Sequence, residues 1–378
     1  MLLGKDDRDL RNEEFDSQTP IIRVIGVGGG GNNAVDRMID DNVEGIEFIA
    51  VNTDAQVLRR SRAGVRIQLG AQLTAGLGAG GRPEVGARAA EESEESLVAA
   101  IKGCNMLFIT AGMGGGTGTG AAPHIARLAK KMGILTVAVV TKPFVFEGRP
   151  RMNYALRGIE ELRESVDTLL IIPNEKLIDI DPNMTFKEGL KKADEVLTQG
   201  VQGISGIISN AGMINMDFAD IETMMSNKGI AHIGIGRATG KNKALTATEN
   251  AIKSPLLETS IQGAYSVLVY VTGDDNLGMQ EVTAIGEFIR QGTGIEETEF
   301  FFGSSINEDL NDEVVVTVVA TAFGPRPVRA EEFGAPPSAA ASAASSATEE
   351  QAEAPKKVSG GESNDQIVLP IFLQKNRR

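Results

Sequence analysis

Ala111-Gly-Met-Gly-Gly-Gly-Thr-Gly-Thr-Gly120 is the stretch that decides how the rest of the chain is read. It follows the apolar run Met106–Thr110 and precedes Ala121–Met132, whose spacing predicts a helix. It is therefore a strand-to-helix turn. Glycine at this density lets the main chain approach something closely, and main-chain N–H groups at a helix start favour an anion. Thr117 and Thr119 can add hydroxyl donors. No Gly-Lys-Ser/Thr follows, so the turn is not a Walker A loop.

A second turn of the same kind lies upstream. Ile21–Ile25 reads as a buried parallel strand, Gly26-Val-Gly-Gly-Gly-Gly31 follows, and Asn33–Ile39 has helical spacing. Gly26, Gly28 and Gly31 also satisfy the dinucleotide fingerprint, with Asp54 beyond the second strand Phe48–Val51. Alone, this turn is compatible with a nicotinamide or flavin enzyme. A dinucleotide fold needs only one such turn, whereas two on different units of one sheet suit a triphosphate lying across both. A third glycine-rich loop, Ala75–Gly81, is a candidate cover for the terminal phosphate.

The remaining pattern alternates. Val65–Leu69 is a strand, and Pro83–Ile101 is one helix with proline in its first turn and an acidic face at Glu91–Glu95. Ile134–Val140 is a strand, Tyr154–Arg163 a helix and Thr168–Ile172 a strand. This predicts a doubly wound α/β domain with a parallel sheet. Phe186–Ser209 reads as one long connecting helix. Beyond it, strands at Ala231–Ile235, Ser266–Thr272, Phe300–Phe302 and Glu313–Thr321, with helices at Ala244–Ile252 and Met279–Arg290, predict an α+β unit with a mixed sheet. Pro325–Ser363 is rich in Ala, Ser, Pro, Gly and Glu and reads as a disordered linker. Ile367–Leu373 is an apolar cluster around Pro370, either a docking motif or an uninformative hydrophobic end. The resulting plan is an arm at 1–20, a nucleotide domain at 21–185, a central helix at 186–209, a second domain at 210–323, a linker at 324–363 and a tail at 364–378.

Composition narrows the function classes. The net charge of -14 disfavours nucleic acid, so a polyphosphate must be held by local dipoles and cations. The single cysteine, Cys104, excludes an internal disulfide framework and reads as a buried, inert thiol. Met1–Pro20 is polar and acidic, and no apolar run reaches membrane-span length. The expectation is a cytoplasmic protein with no direct membrane insertion.

Gly114–Gly120 resembles the signature of the tubulin/FtsZ family of GTPases, in particular its bacterial cell-division members. Gly26–Asn33, Asn52-Thr-Asp54, Thr141-Lys-Pro-Phe144, Phe146-Glu-Gly148, Asn215–Asp220 and Ser254-Pro-Leu-Leu-Glu258 are similar to the same family, and the resemblance runs from Ile21 to Phe323. It implies a tubulin-like GTPase domain with a Rossmann-like sheet, a long central helix and a mixed-sheet second domain. It implies GTP and GDP as ligands, with Mg2+. Gly29, Gly30, Gly31, Asn32 and Asn33 are then expected at the phosphates, with Gly114, Gly115, Gly116, Thr117 and Gly118 around the outer ones. Glu147 and Arg151 are expected near the ribose, and Asp194 at the guanine edge. Asn215, Asp217 and Asp220 are expected to enter the next protomer's pocket and orient water. The implied partners are further copies of the chain, head to tail, and membrane adaptors of the division machinery at Ile367–Leu373, with assembly as a ring at the division site. No metal-ligand set is implied.

Plainer readings of the same residues stand beside these. Glu147 and Arg151 can be a surface ion pair, Asp194 part of a solvated helix face, and Asp217 a helix cap. A nucleotide-dependent oxidoreductase and a non-hydrolysing filament protein are the competing functions. The chain also departs from the family's habits. Leu190 stands where an aromatic commonly covers the base, Ile230 where an aromatic is common, and Asn210-Ala-Gly212 replaces a proline-containing turn. Val368 and Gln374 replace charged residues of the tail motif.

Overall fold

The computed structural model describes residues 20–180, 183–209, 214, 216–253, 261–307 and 310–323. In chain order the elements are β1 (Ile22–Val27), α1 (Gly28–Asp40), β2 (Ile46–Asn52), α2 (Ala55–Arg60), β3 (Val65–Gln68), α3 (Ala71–Thr74), α4 (Pro83–Glu92), α5 (Glu94–Ile101), β4 (Met106–Gly112), α6 (Thr117–Lys131), β5 (Leu135–Lys142), α7 (Arg149–Ser165), β6 (Thr168–Pro173), α8 (Glu175–Ile180), α9 (Phe186–Ser209), α10 (Phe218–Met225), β7 (Gly229–Thr239), α11 (Lys243–Ile252), β8 (Ala264–Gly273), α12 (Met279–Thr293), β9 (Glu299–Ile306) and β10 (Glu313–Phe323).

The strands join in the order β3-β2-β1-β4-β5-β6-β7-β10-β8-β9. The first six are parallel, and the inner strands β4, β5 and β6 carry the continuous apolar runs of strands covered on both faces, whereas the edge strand β3 does not. The order reverses between β1 and β4, so the turns that leave these two neighbours open a crevice at their carboxyl ends. Those turns are the two glycine runs. Strand β7 then pairs with β6 in parallel at Thr168–Leu170 and with β10 antiparallel, while β8 and β9 pair in parallel. The second sheet is thus mixed, as expected, and it continues the first through β7.

Helix α9 buries Ala193, Val196, Leu197, Val201, Ile204 and Ile207, the stripe its three- and four-residue spacing prescribes. They meet Val137 and Val139 of β5 and Leu170 and Ile172 of β6 in one core. Ile125, Ala126 and Ala129 of α6 and Leu162 of α7 cover the opposite face of the sheet. Ala247, Ala251, Ile285 and Ile289 of α11 and α12 cover the mixed sheet.

Several elements differ from the sequence reading. Pro83–Ile101 is two helices, because the chain breaks at Ser93 (φ -103°, ψ 15°). The Ser93 hydroxyl accepts a hydrogen bond from the Gly70 N–H at 3.0 Å, which ties the break to the end of β3. Helices α1 and α6 begin inside the glycine runs, not at Asn33 and Ala121, since apolar periodicity carries no signal through glycine. Short α2 and α8 had no counterpart. Cys104 is buried, and burial pushes its thiol up, as an inert thiol requires. No helix among the described residues is long and apolar enough to cross a membrane. The tail motif at 367–373, the segment 254–258, the turn 210–212 and Asn215 lie outside the described residues.

Candidate active site

The two glycine turns touch. A Cβ on Gly28 would lie 2.9 Å from the Gly118 nitrogen. Gly31 has no room for a side chain, because its Cβ would run into the Thr110 carbonyl oxygen of β4. Helices α1 and α6 both start here with no side-chain cap and no acid in the first turn. Their first N–H groups therefore lack intrahelical partners and cap oxygens, the arrangement that accepts an anion. The loop at 75–81 closes on the second turn, with Ala79 against Gly116.

A cleft of about 440 Å³ opens above these turns. Gly29, Gly30 and Asn33 line it from α1, and Gly115, Gly116, Thr117 and Gly118 from α6 and the turn before it. Glu147 and Arg151 form an ion pair at its rim, and Glu147 also accepts the Phe144 N–H at 3.0 Å. Asp194 lies at the other end with Leu190, Ala193 and Leu197 of α9. It is half-buried, and burial pushes its carboxyl up to about 6, partly offset by the Arg37 guanidinium. A carboxylate in such a place can accept two adjacent N–H groups of a flat ring.

Three expected contact residues do not line the cleft but shape it. Asn32 is buried, donating to the Gly26 and Val51 carbonyls and accepting from Asn52 at 2.8 Å. Gly31 sets the α1–β4 distance. Gly114 adopts φ 99° with its N–H donated to the Thr119 hydroxyl at 2.8 Å, so Thr119 braces the turn. The Thr117 hydroxyl is 2.7 Å from that of Thr53. Conversely, Thr141, Pro143 and Asn174 line the cleft. Thr141 and Pro143 belong to a family-like motif that was given no site role, and Asn174 was not singled out from sequence. They lie at the carboxyl ends of β5 and β6, and strand-end position was the signal that could have found them. Asn174 is buried, and its Oδ1 has no hydrogen-bond partner among the described residues.

Asp217 and Asp220 are not in this cleft. Asp217 caps α10, its Oδ1 accepting the Asp220 N–H at 2.8 Å, and its side chain is exposed. No His/Cys/Asp/Glu group able to cage a metal occurs among the described residues. Asp54, the acid a dinucleotide fold would turn toward a ribose, instead caps α2 by accepting the Gln56 and Val57 N–H groups. Leu190 is half exposed and lines the cleft beside Asp194. Leu190→Phe should tighten nucleotide binding roughly tenfold by adding a ring on which a base can stack. Titration calorimetry with GDP checks this, and an unchanged Kd would show that leucine already covers the base.

Residues 21–182 match the model for the GTPase domain of the tubulin/FtsZ family, and 229–324 match that for the FtsZ family C-terminal domain. Among solved structures, an empty FtsZ dimer of M. jannaschii is similar at 44% identity and a TM-score of 0.77, covering 84% of this chain and 92% of that one. A single-residue mutant of M. jannaschii FtsZ matches at 44% identity and a TM-score of 0.78, covering 84% and 96%. CetZ2 of Haloferax volcanii, in a GTPγS-bound protofilament, shares the fold at 21% identity and a TM-score of 0.70, covering 83% and 96%. The order of strands around the β1–β4 crevice, the paired glycine turns and the 44% identity to FtsZ lead to one assignment: the chain belongs to the tubulin/FtsZ family of GTPases.

Proposed function

We propose that the chain binds GTP in the cleft, polymerises head to tail, and hydrolyses GTP only where one protomer's Asn215, Asp217 and Asp220 reach the next protomer's nucleotide. One observation carries this reading. The cleft has an anion cradle and a base-sized acceptor, but none of the described residues of 216–220 lines it. A group to orient water must then come from elsewhere, and a split site gates phosphoryl transfer, which depends on positioning and charge stabilisation. The phosphates rest on Gly29–Asn33 and Gly114–Gly118, Glu147 and Arg151 flank the ribose, and Asp194 takes the guanine N–H pair. Mg2+ accompanies the triphosphate and is held mainly by phosphate oxygens, as this ion commonly is.

Exposed apolar side chains support an assembly surface at both ends of such a contact. Val145 and Phe146 flank Glu147 at the cleft rim, and Ile214 precedes the acids. The M. jannaschii dimer and the CetZ2 protofilament favour the same reading. A head-to-tail contact that does not close gives a filament. Its biological role in this proposal is the scaffold of a cytoplasmic division ring, tethered to membrane adaptors through 367–373.

The test is phosphate release from GTP and from ATP as protein concentration rises, with sedimentation in parallel. Expected are GTP selectivity, a critical concentration, and turnover that appears with the sedimentable polymer. Turnover per molecule independent of concentration would exclude a shared site.

A further inference from the structure

We propose that a main-chain bridge between Ile214 and Ser304, next to Gly303 and Tyr270, positions the acid-bearing segment 216–220, making Gly303 a positioning residue for hydrolysis. The proposal rests on the reading that these acids act on a neighbour's GTP.

Strand β9 is the outer edge of the ten-stranded sheet. Its inner side pairs with β8, where Tyr270 stands opposite Gly303 and Val271 opposite Ser304. Ser304 sends its main-chain groups the other way. The Ile214 N–H donates to the Ser304 carbonyl at 3.3 Å, and the Ser304 N–H donates to the Ile214 carbonyl at 3.2 Å. The Ile214 side chain is 48% exposed, so burial does not hold this contact; two main-chain hydrogen bonds do. Two residues later Met216 is buried, and Asp217 caps α10. Asp217, the cap of α10, thus follows the sheet-edge clamp by three residues, and Asp220 lies in the first turn of the helix.

Gly303 leaves room for the Tyr270 ring next to the clamp. A Cβ there would lie 2.8 and 3.1 Å from Cδ2 and Cε2 of Tyr270, too close without a shift of the ring, and at an ordinary contact distance of 3.4 Å from the Ile214 carbonyl oxygen. A ring displaced by the new methyl would then disturb the strand position next to the bridge. A plainer role for the bridge is to cover an exposed strand edge. The two roles differ in consequence. Edge cover affects solubility, whereas a clamp on catalytic acids affects turnover, because a displacement of about 1 Å can cost about a hundredfold.

The experiment uses the full chain carrying Gly303→Ala or Ser304→Pro. Proline removes the N–H given to Ile214 and is tolerated on the outward side of an edge strand. GTP Kd, GTP-driven sedimentation and turnover within the polymer are measured. Expected is a loss of turnover of about tenfold or more, with Kd within about twofold and sedimentation retained. Gly303→Ala combined with Tyr270→Leu, which opens space for the new methyl, should recover at least half of the lost rate. Normal turnover in both single variants overturns the proposal. If the single variants fail to fold, amide exchange in the unaltered chain decides: fast exchange at both Ile214 and Ser304 in the polymer overturns it, and protection at both supports it. Asp217→Asn is assayed alongside. Normal turnover there removes the underlying shared-site reading and the proposal with it, whereas a failure confined to the bridge variants removes the proposal alone.

Discussion

Asp217→Asn should lower GTP turnover by about a hundredfold or more while GTP binding and the melting temperature stay close to those of the unaltered protein. The choice of asparagine separates the observed capping role of this carboxylate from its proposed catalytic one. Asp217 accepts the Asp220 N–H at 2.8 Å and so starts α10. Asparagine caps a helix about as well as aspartate, so this function survives. The negative charge does not. If capping were its whole contribution, the variant would turn over normally, and a capless Asp217→Ala would lose about 1 kcal/mol of stability and little else. If the carboxylate orients or polarises water, Asn and Ala fail alike in turnover while differing in stability. The pair of variants therefore yields opposite patterns for the two roles, read by phosphate release and thermal melts.

The second large effect concerns the base end of the cleft. Burial raises the Asp194 carboxyl to about 6, although Arg37 pulls it back. In the proposed binding mode the charged form accepts the two N–H groups of guanine. Affinity for GDP should thus be nearly full at pH 7 and fall as pH drops through about 6, by about tenfold at pH 5. The nucleotide's own phosphate also titrates in this range, so Asp194→Asn supplies the baseline: its affinity should lack the additional fall. At pH 7, Asp194→Ala should lose about a hundredfold in GTP affinity, since charge-assisted hydrogen bonds contribute roughly 1.5–3 kcal/mol each, and its preference over ATP should vanish with it. The sign for stability is the reverse of the usual acid. A carboxyl raised on folding favours the folded state at low pH, so this group's contribution declines as pH rises from the ordinary carboxylate range through about 6. Bound GDP should therefore raise the melting temperature more at pH 7 than at pH 5. Equal gains at both would mean that Asp194 does not meet the base.

Much of this site was legible because phosphate recognition by main chain leaves a compositional trace. Runs of glycine between an apolar strand and a helix identify the cradle before any coordinates, and family resemblance adds Glu147, Arg151 and Asp194. What escaped was anything that depends on which way a side chain turns. Asn32 and Asn33 are adjacent in sequence, yet Asn33 reaches the cleft while Asn32 is locked to Gly26, Val51 and Asn52. Asn174 carries an unpaired buried oxygen in the cleft, but sequence shows only an asparagine after a strand. The break at Ser93 was invisible for a related reason. It depends on the Gly70 N–H, which comes from a distant part of the chain.

The glycines around the cleft also fall into populations that meet different demands. Gly26, Gly31, Gly86, Gly116, Gly118 and Gly120 are filled in by neighbouring protein atoms, so any L-residue there disturbs the fold itself. At Gly29 and Gly115 the space a methyl would take is empty of protein. A substitution in the first set is felt by the empty protein as much as by a loaded one. In the second set it is felt only by whatever enters that space. The same letter, repeated along two short runs, thus answers two separate demands, one set by the chain's own packing and one by its occupant.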